Sequence, residues 1–164
     1  MYKLVVVFVY AMLLAACSSA PHYSSETSSV KVTGAHADLS DTQKVKQILN
    51  QQYRDWNRVQ HRMGGTSKKG VDCSGLVYQT YRTKLGVNIP RSTEHQSKIG
   101  LKVKQKQLRA GDLVFFKTGL FTRHVGMYID KGNFLHVSSK KGVMISNLDE
   151  PYWRKTYWKA QRVL

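Results

Sequence analysis

Cys73, His124 and His136 are the side chains of this chain whose types could carry covalent chemistry together. The sequence has two cysteines. Cys17 ends the stretch Leu14-Ala15-Ala16-Cys17, where a leader would be cut and a lipid attached, so Cys73 is the thiol left for chemistry. A lone cysteine in an oxidising compartment is a liability unless it is buried or used. Asp72, Ser74 and Gly75 around it are too polar for a routine core position, although burial is the commonest fate of free cysteines. A thiol with an imidazole partner is the minimal set for an activated nucleophile. A helix N-terminus and a nearby imidazolium can bring a thiol pKa down to roughly 3.5–7.5, so a standing thiolate is expected at Cys73.

The elements that must position these groups can be read from periodicity. Val45, Ile48, Leu49, Tyr53, Trp56 and Val59 recur at helical spacing, predicting a helix over about 42–60 with Ser40 or Asp41 as its cap. A second helix opens at Cys73, buries Leu76, Val77, Tyr81 and Leu85, and stops at Gly86. Its unpaired N–H groups could stabilise both a thiolate and an oxyanion, and Gly75 would admit close approach of backbone and substrate. Ser92 or Thr93 could cap a short third helix reaching about Ser97. Beyond it the texture is strand-like over 113–116, 125–129, 133–137, 143–145 and 159–163, with turn residues between. Helices first and antiparallel strands afterwards predict an α+β domain.

Alternation along 123–129 puts Val125, Met127 and Ile129 toward the core and His124, Gly126 and Tyr128 on the other face. Two turns are open at Lys131-Gly132. A two-residue turn pairs 130 with 133 and sends the histidines to opposite faces. A three-residue loop over 130–132, with Gly132 in a left-handed bulge, pairs 129 with 133 and 126 with 136, leaving His136 diagonal to His124. The second register permits His124 as base and His136 as its orienting partner.

Residues 1–16 have the make-up of a lipoprotein signal peptide: Lys3, then an apolar core over 4–14, then small residues before Cys17. Cys17 would be the lipidated first mature residue. Residues 17–40 read as a Ser/Thr-rich tether, and 41–164 as one domain. Ser18 after the cysteine resembles lipoproteins sorted to the outer membrane of Gram-negative bacteria, which would face the periplasm. The formal charge is +16. Without Lys3 the mature chain keeps 25 basic and 10 acidic residues, or +15 with an acylated amine. The cations are scattered (Lys44, Lys68, Lys102, Lys140), not gathered in one helical stripe, which with export argues against nucleic acid. Carboxylate-rich peptidoglycan and anionic headgroups are the expected partners, and a simply solvated basic surface is the plainer alternative.

Asp72-Cys73-Ser74-Gly75, the run Gly111 to Phe116, His124 to Tyr128 and Phe134-Leu135-His136-Val137 together resemble the NlpC-type peptidoglycan endopeptidases, papain-like cysteine peptidases of the bacterial cell wall. The likeness runs from about Gln47 to the C-terminus and includes Gly142-Val143-Met144 and Tyr152-Trp153. It implies a papain-like fold with N-terminal helices on an antiparallel sheet, Cys73 as nucleophile, His124 as base and His136 as the orienting third residue. It also implies hydrolysis of an amide in peptidoglycan stem peptides, often between D-glutamate and a diamino acid, with some members cutting cross-links, and no metal or organic cofactor. His61 stands where family members commonly carry Tyr, and with Asp72 and Ser74 it is a candidate substrate contact. Ala110 replaces the usual proline before Gly111-Asp112. Two other readings remain: a catalytically silent envelope-binding lipoprotein, and a thiol acyltransferase or amidase of the same fold.

Overall fold

The computed structural model describes residues 37–164. The signal peptide, the lipidation position Cys17 and most of the expected tether lie outside the described residues. Helix α1 (Thr42–Trp56) is capped by Asp41, whose carboxylate accepts from Lys44 N at 2.9 Å, and it buries Val45, Leu49 and Gln52. It ends before the predicted position 60. Asn57 leaves helical geometry and Arg58 sits at a φ of 69°. The backbone beyond is used elsewhere: Val143 N donates to Val59 O at 2.9 Å, and Val71 N donates to Gln60 O at 3.1 Å. Tertiary pairing of these groups outweighs one more helical turn.

A small hairpin, β1 (Thr66–Ser67) with β2 (Gly70–Val71), leads into α2 (Cys73–Thr80). The helix continues as a wider π turn over Tyr81–Leu85 and stops at Gly86 with φ 73°, as expected of a glycine cap. Then come α3 (Thr93–Gln96), capped by Ser92, and β3 (Leu101–Val103). The remaining elements are β4 (Leu113–Lys117), β5 (Arg123–Asp130), β6 (Asn133–Ser138), β7 (Gly142–Asn147), α4 (Pro151–Thr156) and β8 (Tyr157–Arg162). One six-stranded antiparallel sheet, in the order β3-β8-β4-β5-β6-β7, carries the domain. The fold is α+β, as the sequence pattern predicts.

Each face of the sheet is covered. Leu113, Phe115, Val125, Met127, Leu135 and Val137 pack with Val45 and Leu49 of α1 and Leu76 and Val77 of α2. On the opposite face Val114, Phe116, Phe134 and Ala160 pack with Leu148 and with Trp153 of α4. Helix α4 and the edge strand β3 lie outside the sequence expectation. Pro151 at the first turn of α4 is the signal that could have announced it.

The β5–β6 turn resolves the open register. Asp130 pairs with Asn133 across a two-residue turn, and Lys131 and Gly132 have φ of 46° and 83°. Positive φ at both central positions matches the strand twist. A bulge at Ile129 then restores Tyr128 opposite Phe134 and Met127 opposite Leu135. The histidines therefore share a face, as the expected alignment of 126 with 136 requires, but through a two-residue turn with the bulge at Ile129 and not a three-residue loop with the bulge at Gly132.

Candidate active site

Cys73 is the first residue of α2, and Asp72 is its N-cap. The Asp72 carboxylate accepts from Gly75 N and from Gly64 N, each at 2.7 Å. It also receives the Arg91 fork, Nη1 to Oδ1 at 2.9 Å and Nη2 to Oδ2 at 2.8 Å. Arg91 reaches further, to Ser74 Oγ at 2.9 Å and Gly65 O at 3.0 Å. Burial disfavours the Asp72 carboxylate, yet the hydrogen bonds and charge of Arg91, with those two backbone donors, hold its pKa below the ordinary value. Asp72 and Ser74 are thus buried and turned into a network that fixes the start of α2. Arg91 organises that network and was not singled out from the sequence, because its partners lie 17 to 26 residues away. The glycine at 75 has a different use from the expected one. A Cβ there would meet Gly65 O at 2.2 Å and Arg91 Nη2 at 2.9 Å, so its bareness admits the turn before the helix.

The half-buried thiol lies 3.7 Å from Thr93 Oγ1, and the backbone N–H groups of Val125 and Ser74 also point at it. The expected standing thiolate is not what this environment favours. Burial pushes the Cys73 pKa up, and the Asp72 carboxylate adds to the rise, against the lowering by Thr93 and the two N–H groups. Desolvation wins over the helix terminus here, so the resting thiol is protonated.

His124 and His136 meet as the register requires, Nε2 to Nδ1 at 3.1 Å, and His136 Nε2 lies 3.0 Å from Ser146 Oγ. Gly126 makes the approach feasible, since a Cβ there would stand 2.9 Å from Leu135 O and 3.2 Å from His136 Cβ. The rings sit in an aromatic box. His124 stacks on Trp153 at 5.5 Å between centroids, and His136 stacks on Phe134 at 4.9 Å. Burial drives His124 down to about 4, with the charge of His61 contributing, and drives His136 down to about 3, with His124 contributing. Both imidazoles are neutral near pH 7. His61 bridges to Val71 and lies within electrostatic reach of His124, which brings it to the same end of the sheet. Ser146 and Trp153 are further members that sequence reasoning missed. Among the described residues no cluster of His, Cys, Asp or Glu could hold a metal ion.

A thiol at a helix N-terminus and a hydrogen-bonded histidine pair on two neighbouring strands, β5 and β6, thus stand at one end of the antiparallel sheet. The chain belongs to the NlpC/P60 family, whose model matches residues 58–162. It is 43% identical over 165 residues to the murein DD-endopeptidase MepS/murein LD-carboxypeptidase of Escherichia coli (strain K12), covering 94% of this chain and 88% of that one. It is 41% identical to the probable endopeptidase NlpC of the same strain, over 96% of this chain and 97% of that protein. A solved NlpC/P60 family protein from Bacillus cereus ATCC 10987 superposes with a TM-score of 0.67 at 31% identity, over 79% of this chain. This chain spans 41% of that larger structure.

Proposed function

We propose that this protein is a cysteine endopeptidase that hydrolyses amide bonds in peptidoglycan stem peptides, near D-glutamate and its diamino-acid neighbour, with Cys73, His124 and His136 as its triad. The observation that carries the reading is the hydrogen-bonded chain from His124 Nε2 through His136 to Ser146, with the N–H of the next residue, Val125, directed at the Cys73 thiol at the head of α2. If His136 Nε2–H donates to Ser146, then His136 Nδ1 accepts from His124 Nε2–H. His124 Nδ1 is then left with its lone pair, as a base must be. The thiol proton passes to Nδ1 as sulfur attacks the carbonyl carbon. The Cys73 and Ser74 backbone N–H groups at the head of α2 suit the oxyanion, and the imidazolium returns the proton to the leaving amine. Water then attacks the thioester by the same route, releasing the acid and restoring the thiol.

The relatives' names support peptidoglycan as substrate, since the matched Escherichia coli protein is a murein DD-endopeptidase/LD-carboxypeptidase. That name points to a cross-link or stem-end bond and lends no support to the choice of the D-glutamate bond, which rests on the family resemblance. Lipidation at Cys17 and an outer-membrane anchor facing the periplasm complete the proposal, carried by the sequence pattern alone. Among the described residues no helix is long and apolar enough to cross a membrane.

Digestion of purified peptidoglycan, followed by mass spectrometry of the released muropeptides, tests the reading. Cys73→Ser abolishes release with an unchanged melting temperature; His124→Ala is nearly as severe, and His136→Ala is milder. Full activity in Cys73→Ser would sink the thiol mechanism. The raised thiol pKa favours a second reading, a silent wall-binding protein. That reading expects no products from the wild type and unaltered sedimentation with peptidoglycan in Cys73→Ser.

A further inference from the structure

Three cations converge on one indole at the edge of the site. Lys117 Nζ lies 5.4 Å, Arg123 Cζ 5.7 Å and Lys159 Nζ 4.6 Å from the Trp158 ring centroid. Trp158 is itself 37% exposed and anchored edge-on against buried Phe115 at 6.4 Å. Like charges so close repel, and the ring quadrupole offsets only part of that cost. The ion pairs formed among the described residues leave all three without a carboxylate. Desolvation lowers the Lys159 pKa, and the charges of Lys102 and Lys98 on the neighbouring edge lower it further.

The surroundings are built to hold this arrangement. Arg123 Nη1 donates to the carbonyls of Gly119, Leu120 and Thr122 at 3.1 to 3.3 Å, which ties down the β4–β5 loop. That loop presents Leu120 and Phe121, 82% and 90% exposed, beside the cations. Lys159 donates to Ser97 O at the end of α3.

The patch borders the thiol from two sides. Thr93, which lies 3.7 Å from the Cys73 sulfur, starts the same α3 whose end receives the Lys159 ammonium on Ser97 O. That end is a rise of about 6 Å further along the helix at 1.5 Å per residue. Val125, whose N–H points at the thiol, lies two strand residues from Arg123, about 7 Å. A peptide whose scissile amide sits at Cys73 would therefore lay its next one or two residues over Trp158.

We propose that Lys117, Arg123 and Lys159 around Trp158 form a carboxylate-recognition subsite, which selects stem peptides carrying a free carboxylate one or two residues from the cleaved bond. The subsite rests on the peptidase reading above. A carboxylate entering it relieves the mutual repulsion of the cations and gains charge-assisted hydrogen bonds. A neutral carboxamide at the same place gains neither.

The test uses the full-length protein in detergent and two muropeptides that differ only in a stem carboxylate, free or converted to the carboxamide. Wild type cleaves both, with kcat/KM about tenfold higher on the carboxylate form, the size expected of one charge-assisted contact. Lys117→Gln brings that ratio toward one through KM, and Lys117→Arg restores it. Lys131→Gln, a charge loss in the exposed β5–β6 turn at the opposite end of β5 from Arg123, leaves the ratio as in wild type. Equal rates on the two muropeptides in wild type, or a ratio that survives Lys117→Gln, overturn the subsite and leave the peptidase standing. Cleavage of neither muropeptide by wild type overturns both.

Discussion

Cys73 and the two histidines are held by opposite kinds of physics. Cys73 is placed by charge and backbone: Asp72 caps its helix, and Arg91 ties that cap to Ser74 and to the Gly64–Gly65 turn. His124 and His136 are placed by apolar burial, between Phe116, Phe134 and Trp153 on the far face of the sheet. A polar network fixes direction, because hydrogen bonds fail when misaligned. An aromatic box fixes protonation, because a charged imidazole has no solvation there. The two meet at the head of β5, where the Val125 N–H faces the thiol and His124 precedes it. Together they yield a neutral resting pair and not a thiolate–imidazolium pair.

Emptying the aromatic box should have the largest effect. Trp153→Ala removes a buried ring that touches both histidines, and large aromatic truncations cost about 3–5 kcal/mol. The same change admits water and raises both histidine pKa values, so it has a signature in pH. In the wild type the folded values, about 4 and about 3, lie below the ordinary 6.5. Below pH 6.5 the unfolded chain then binds more protons than the folded one. This contribution to stability is complete above pH 6.5 and is lost as pH falls toward about 4 and then 3. Urea melts across that window should show a slope that flattens in Trp153→Ala. An unchanged slope would mean that the box does not set the titration.

Breaking the polar network comes next. Arg91→Gln leaves the buried Asp72 carboxylate without its cation, and at this partly exposed pair the loss should be about 2 kcal/mol. It also removes the charge that offsets Asp72 beside the thiol, so the Cys73 pKa should climb further. The pH dependence of Cys73 alkylation reads this directly. A thiol that titrates as in wild type would show that Arg91 acts on the fold alone.

The smallest effect is expected at His61, which stands near the meeting point of the two regions but is only half-buried. His61→Ala should lower turnover about tenfold with little change in KM, the mark of a contact made mainly in the transition state. His61→Tyr should retain activity. A drop in melting temperature with unaltered kinetics would assign His61 to packing beneath the Gly64–Gly65 turn.

Much of this arrangement was legible in the chain. Asp41 and Ser92 cap their helices, Gly86 ends the second one, and alternation along β5 separates His124 from the Val125–Met127–Ile129 core face. Those features follow from contacts within a few residues, where residue type and spacing suffice. The helix end at Trp56 was not legible, because Val59 and Gln60 give their carbonyls to Val143 and Val71. Neither were the Ile129 bulge, the role of Ser146, or α4 as a cover over the histidines.

The sequence by itself determined which groups could react and which face of which element would carry them, since helix and strand periods are properties of the local chain. Tertiary structure decided their protonation. Whether a helix terminus or desolvation governs Cys73 depends on how much water α3, β5 and the Asp72–Arg91 pair leave beside the sulfur. Whether the His124 imidazole is neutral depends on the burial to which Trp153 contributes, from 29 residues further along the chain. Desolvation is a sum over everything packed around a group, and no window of sequence contains that sum.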